Sequence, residues 1–101
     1  MTFSERVYAQ LRLVSRGKVT TYKALAEKLG TKAYRAVGQT MKNNPYAPEV
    51  PCHRVVRSDG SVGGFMGKTS GKEIARKIAL LKGEGVEVNF GKVVDFNEKL
   101  F

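Results

Sequence analysis

The sequence predicts a mostly α-helical fold with a small amount of β structure, and three observations predict it. Apolar residues recur at three- and four-residue spacing in four stretches, each opened by a Ser or Thr. Strand-like patterning is confined to one short segment around residues 49–56 and a pair of segments after residue 85. A length of 101 residues fits one domain with one modest core, since domains commonly run to about 100–150 residues.

Ser4 is read as the cap of a first helix with Val7, Leu11 and Val14 on its apolar side and an end near Arg16-Gly17. Gly17 to Thr21 reads as a turn or extended link. Thr21 then caps a second helix striped by Tyr22, Leu25, Ala26 and Leu29 and stopped by Gly30. Thr31 caps a third, Lys32 to about Lys42, that buries Ala36, Val37 and Met41. Two short helices joined by a Gly-containing turn outline a helix-turn-helix, whose second helix enters a DNA groove. The small residues of Ala33-Tyr34-Arg35-Ala36-Val37-Gly38-Gln39-Thr40-Met41 suit close approach to a minor groove more than major-groove readout. They equally suit a plain helical hairpin packed on a neighbour.

Asn43-Asn44-Pro45-Tyr46-Ala47-Pro48 is a turn-rich loop. An extended segment, Glu49 to Val56, follows it, then a turn at Ser58-Asp59-Gly60. Ser61 to Gly67 is too rich in glycine for a packed element; it is either a loop whose backbone approaches a ligand or a flexible connector. Ser70-Gly71-Lys72-Glu73 fits a capping box for a fourth helix, striped by Ile74, Ile78 and Leu81 and ended by Gly83 and Gly85. Val86 to Phe90 and Val93 to Phe96, separated by Gly91-Lys92, are expected to pair as a terminal hairpin.

The formal charge is +9, and it is uneven: eleven basic against three acidic side chains precede Ser58, and seven against six follow. A polyanionic partner, most simply nucleic acid, explains such an excess, and so does a need for solubility. One cysteine excludes an intramolecular disulfide, and one Cys with one His excludes the usual structural zinc sets, so no metal or cofactor is expected. No apolar run approaches the roughly 20 residues of a membrane span, and the first residues lack a secretory pattern. The expected setting is reducing and intracellular, cytoplasmic or nuclear, with no membrane partner.

That cysteine and that histidine are adjacent, in Pro51-Cys52-His53-Arg54-Val55-Val56. On an extended segment neighbouring side chains point to opposite faces, so the two communicate only through a water or a bend after Pro51. Only the thiolate is a good nucleophile; the free thiol titrates near pH 8.5, and a nearby base or cation lowers it. The alternative is a small buried cysteine, behaving as an apolar residue, beside a surface histidine.

Together with Arg35-Ala36-Val37-Gly38-Gln39-Thr40-Met41-Lys42-Asn43-Asn44-Pro45 upstream and the glycine loop downstream, this signature resembles the active-site domain of O6-alkylguanine-DNA alkyltransferases, from about Phe3 to Val88. The resemblance implies a single winged-helix-like domain over residues 1–101, containing the helix-turn-helix, with the family's frequent amino-terminal domain absent. It implies a monomer acting on double-stranded DNA that contains O6-alkylguanine. Cys52 would be the alkyl acceptor, His53 the base that takes its proton through a water, Glu84 the carboxylate that orients the histidine, and Asn44 the brace of the active-site turn. Tyr22 would contact the flipped base and rotate the target phosphate. Arg35 would enter the duplex in place of the extruded nucleotide, with Ala33, Tyr34, Ala36, Gly38 and Gln39 on the DNA. Met41, Val55, Gly63, Gly64, Phe65 and Met66 would line the guanine pocket. The product would be a thioether with no hydrolysis step, so each molecule would act once.

Two rivals stand beside that reading. An alkyltransferase-like lesion sensor would bind O6-alkylguanine and recruit other repair without transfer, and such relatives usually carry Trp or Ala in place of the cysteine. A plain helix-turn-helix regulator would bind by sequence, independently of Cys52. Two positions depart from the family pattern. Tyr34 stands where a small residue is usual, and Gly64-Phe65-Met66 stands for the more usual Asn or Gly, Tyr and Ser. Loss of a hydroxyl at Met66 is expected to weaken a hydrogen bond to O6 or to alter tolerance of bulky adducts.

Overall fold

The computed structural model describes residues 1–101 and orders them as α1 (Phe3–Arg12), β1 (Thr20–Thr21), α2 (Tyr22–Lys28), α3 (Tyr34–Lys42), a 3-10 turn (Cys52–Arg54), β2 (Val55–Val56), α4 (Lys72–Gly83), β3 (Val88–Asn89), β4 (Lys92–Val93) and α5 (Phe96–Lys99). The four main helices fall where the apolar periodicity put them, but three of their starts differ from the sequence reading, and α1 stops at Arg12 with Leu13 as its C-cap, short of the end expected near Arg16-Gly17. Thr2, not Ser4, caps α1, because Glu5 stands three residues after it and the two close a reciprocal capping box. Thr21 caps α2 as expected, accepting from the Ala24 amide. Thr31 instead spends its hydroxyl on the Ala33 amide in a tight turn, so α3 begins at Tyr34 and Ala36 faces solvent. No capping box forms at Ser70; α4 starts one residue after Gly71, whose φ of 84° only glycine adopts freely.

The two-residue strand β2 pairs in parallel with β1, Thr20 opposite Val55 and Thr21 opposite Val56. Successive strand residues face opposite sides, and here they divide the interior in two. Val55 joins Val7, Leu11, Leu25, Val37 and Met41 in the larger apolar cluster, while Val56 joins Val19, Leu81, Val86 and Val93 in the smaller one. The terminal hairpin forms with Val88 opposite Val93. Its turn is Phe90-Gly91, with φ of 50° and 76°, rather than Gly91-Lys92, since a two-residue hairpin turn with positive φ at both positions matches strand twist. The chain after Val93 coils into α5 instead of extending to Phe96. It then returns to the residue preceding β1, where the amides of Val19 and Phe101 donate to the carbonyls of Lys99 and Val19 at 2.9 and 2.8 Å. No helix is long and apolar enough to cross a membrane.

Candidate active site

The segment read as extended is a 3-10 turn at the residues that matter. The Cys52 amide donates to the Val50 carbonyl at 2.8 Å and the Arg54 amide to Pro51 at 2.9 Å, which curls the chain just after the proline. The buried Asn44 side chain holds the loop that delivers it, donating from Nδ2 to the Val50 carbonyl at 2.9 Å and accepting from the Tyr46 amide at 2.9 Å. Because of the turn, Cys52 and His53 do not point to opposite faces of a strand; both are buried, with 5% and 2% of their surfaces exposed. A surface histidine is thereby excluded.

His53 Nε2 lies 3.0 Å from Glu84 Oε2. An ionised carboxylate only accepts, so Nε2 carries the proton and Nδ1 keeps its lone pair. Nδ1 is buried and has no hydrogen-bond partner in the protein. Glu84 sits at the C-cap of α4 and is gripped from the other side by Arg54, whose Nε and Nη2 donate to its two oxygens at 2.9 and 2.7 Å while Nη1 donates to the Val14 carbonyl at 2.7 Å. Burial would raise the Glu84 carboxyl, but Arg54 and His53 together hold it below the ordinary carboxylate range. Burial pulls the His53 imidazole below its ordinary range although Glu84 opposes this, so the ring is a neutral base at pH 7. Burial pushes the Cys52 thiol up, against the opposing pull of Asn44 and of the positive charges of Lys77 and Arg76. The resting site therefore pairs a protonated thiol with an unprotonated base.

Cys52 lines a cavity of about 210 Å³. Tyr22, Gly38, Gln39, Met41 and Lys42 from α2 and α3 form one side of it, and the loop from Gly64 to Thr69 the other. Tyr22, Met41, Gly64, Phe65 and Met66 are thus gathered at the thiol as the sequence suggested. Two residues are not. Val55 is fully buried in the apolar core because its strand position points it inward, and Gly63 lies outside the cavity, against Arg57 and Tyr22. The glycine loop is packed rather than a flexible connector. Phe65 and Lys68 exchange backbone hydrogen bonds at 2.8 and 3.0 Å, and a Cβ at Gly64 would come within 3.0 Å of the Lys68 carbonyl oxygen.

Two residues carry more of this site than the sequence indicated. Arg54 stood inside the signature, but its partner is 30 residues away and nothing local names it. Lys77 is completely buried. Its ammonium donates to the carbonyls of Val55 at 2.7 Å, Gly64 at 2.9 Å and Val62, tying the strand after Cys52 to the glycine loop. Burial lowers it from 10.5 to about 8, so it remains largely charged at neutral pH. The available signal was position, since Lys77 follows Ile74 by three residues and precedes Leu81 by four, on the apolar stripe of α4.

On the outer face of α3, Ala33, Tyr34, Arg35, Ala36 and Gln39 are exposed, and a Cβ at Gly38 would meet nothing within 4 Å. These small residues do not pack on a neighbouring helix. They leave a bare helix surface with Arg35 projecting from it, next to the mouth of the Cys52 cavity that Gly38 and Gln39 help line.

Residues 2–86 match the family described as 6-O-methylguanine DNA methyltransferase, DNA binding domain. The chain is 42% identical over 87 residues to a methylated-DNA--protein-cysteine methyltransferase of Metallosphaera sedula, covering 86% of this chain and 53% of that one. Among solved structures, the O6-methylguanine-DNA methyltransferase of Pyrococcus kodakaraensis superposes with a TM-score of 0.73 at 48% identity, over 85% of this chain and 47% of that one. Schizosaccharomyces pombe Atl1, in complex with damaged DNA containing O6-carboxymethylguanine, superposes with a TM-score of 0.78 at 30% identity, over 98% and 94% of the two chains. The chain thus spans about half the length of the methyltransferases it matches.

Proposed function

Since the chain belongs to the 6-O-methylguanine DNA methyltransferase family through its DNA-binding domain, we propose that it repairs DNA by transferring an alkyl group from O6 of guanine to the sulfur of Cys52. The observation that carries this reading is the line of contacts Arg54–Glu84–His53, beside a thiol that faces a cavity. In this mechanism the target guanine leaves the base stack and enters the cavity between Tyr22, Met41 and the glycine loop. His53 accepts the Cys52 proton at Nδ1, directly or through one water, and Glu84 stabilises the imidazolium that forms. The thiolate attacks the alkyl carbon, the carbon–O6 bond breaks, and the departing guanine is neutralised by a proton whose proposed donor is Tyr22, which lines the same cavity. The thioether has no route back, so one molecule repairs one lesion.

Transfer rather than lesion sensing is favoured because the nucleophile is present together with its whole relay. The test is to incubate the protein with a duplex containing O6-methylguanine and measure intact and peptide masses. Transfer requires a stoichiometric gain of one methyl on Cys52, restored guanine in the DNA, and no gain in Cys52→Ser. Tight lesion binding without mass gain would assign the protein to the sensors instead, and equal affinity for damaged and undamaged DNA of one preferred sequence to the regulators.

The exposed Arg35, on the first turn of α3, is proposed to occupy the space of the extruded nucleotide and so offset part of the few kcal/mol that unstacking costs. Arg35→Ala is expected to slow transfer from duplex by about tenfold, a loss of roughly 1.4 kcal/mol, while transfer from free O6-methylguanine stays near wild type. An equal loss on both substrates refutes the flipping role.

A further inference from the structure

A second groove opens beside the cavity of Cys52, and the Tyr22 side chain stands between the two and lines both. It encloses about 470 Å³, and its other walls are Lys23, Tyr34, Arg57 and Ser58. Apart from Tyr22, none of its residues lines the Cys52 cavity, and it holds no carboxylate. Its composition is two tyrosines and two exposed cations without an acidic side chain. Tyr34 leaves 44% of its surface in solvent at the start of α3, so part of its ring is free to take a stacking partner. The Arg57 side chain lies along the backbone of Gly63, where a Cβ would come within 3.3 Å of Arg57 Cγ and 3.7 Å of Tyr22. Gly63, excluded from the Cys52 cavity, is therefore what lets Arg57 and Tyr22 close the floor of this groove.

An open aromatic face flanked by cations is the construction by which proteins hold an unstacked nucleotide, with the base on the ring and the phosphate on the cations. We propose that this groove is a second nucleotide subsite. It takes the nucleotide adjacent to the target in the same strand, its base against Tyr34 and its phosphates toward Lys23 and Arg57, while the target guanine occupies the Cys52 cavity. One tyrosine side chain divides the two sites, so consecutive nucleotides can straddle it. The assignment rests on the Cys52 cavity being the guanine pocket. It makes the protein a reader of the lesion's neighbour, and it accounts for a bulky residue beside Arg35 on a helix otherwise stripped of them.

The experiment is a binding cycle in a Cys52→Ser background, which binds without reacting. Duplexes carry O6-methylguanine with either a normal base or an abasic analogue on one side of it, then on the other. Affinities are measured for Tyr34, Tyr34→Ala and Tyr34→Phe. Comparing proteins cancels the easier opening of an abasic duplex. Removing the neighbouring base on one side is expected to weaken the Tyr34 and Tyr34→Phe proteins about tenfold relative to Tyr34→Ala, the scale of one base–aromatic stack. A coupling within twofold on both sides overturns the subsite, provided that the thermal midpoint of Tyr34→Ala shows it folded, as expected for an exposed residue. Failure of methyl transfer to wild-type Cys52 is read separately by mass, and would sink the alkyltransferase reading without touching the binding cycle.

Discussion

Lys77→Met is expected to lower the unfolding free energy by about 3 kcal/mol and to cut transfer to Cys52 along with it. The magnitude is a difference between two opposed effects. Burying the ammonium costs roughly 3 kcal/mol, the free energy of moving an amine from 10.5 to about 8. Methionine removes that cost, but it leaves the carbonyls of Val55, Val62 and Gly64 without their donor, at about 1–3 kcal/mol for each that finds no water. With three carbonyls at stake, the orphaned groups outweigh the relief. Because two of the three belong to the glycine loop, the wall formed by Gly64, Phe65 and Met66 loosens as well, and transfer falls even at temperatures where the variant is folded. Urea unfolding with intrinsic tyrosine fluorescence measures the first effect, and single-turnover transfer below the transition measures the second. A stability within about 0.5 kcal/mol of wild type, the range of ordinary surface substitutions, would show that Lys77 is dispensable.

Glu84→Gln is expected to lower the plateau rate of transfer by about 10²-fold, within the range that positioned acid–base groups contribute. The amide can still accept from Nε2, so the ring orientation survives, but it no longer stabilises the imidazolium. The pH profile separates this from a structural defect. In the wild type the rate is flat near neutrality and falls only in acid, once His53 protonates below its ordinary range. Glu84 is what raises the imidazole against burial, so its loss moves that acid limb to still lower pH while the plateau drops. An unchanged plateau would remove Glu84 from the relay.

Stability should follow the same groups in the folded wild type. The Glu84 carboxyl is depressed, so its contribution is present above the ordinary carboxylate value of about 4.3 and is lost as pH falls through its folded value. His53 is also depressed, so the unfolded chain binds its proton first and stability begins to fall below about pH 6.5. Both act in one direction. Thermal midpoints measured from pH 7 to 4 should decline in the wild type through His53 and decline more in Glu84→Gln, whose imidazole is depressed further. The decline due to Glu84 itself lies below about pH 4.3 and is absent from the variant, which starts lower because Arg54 has lost its carboxylate partner.

The helices were legible because their signals are local. A stripe of Val7 and Leu11, or of Leu25, Ala26 and Leu29, needs only a few consecutive turns to be recognised. Their starts were less so, since Thr2, Ser4 and Thr31 are equally good caps in isolation and the choice between them depends on which amide each hydroxyl reaches. Cys52, His53, Tyr22 and Met41 could be named in advance, and they converge. Val55 and Gly63 could not be sorted from the residues that line the cavity. One residue of strand register turns a side chain from pocket to core, and that register is set by pairing with β1, 35 residues upstream.

The sequence by itself determined the chemistry available to this protein: one thiol, one imidazole beside it, a basic first half, and a helix with a bare outer face. Each is a property of residues near one another in the chain. Tertiary structure alone decided how that chemistry is wired. It curled Cys52 and His53 into one buried turn, aimed the imidazole at a carboxylate 31 residues away, locked that carboxylate with Arg54, and buried Lys77 against the carbonyls of the strand and the glycine loop. The reason is physical. Burial and partners set the protonation of thiol, imidazole, carboxylate and amine, and neither is fixed until distant segments have packed.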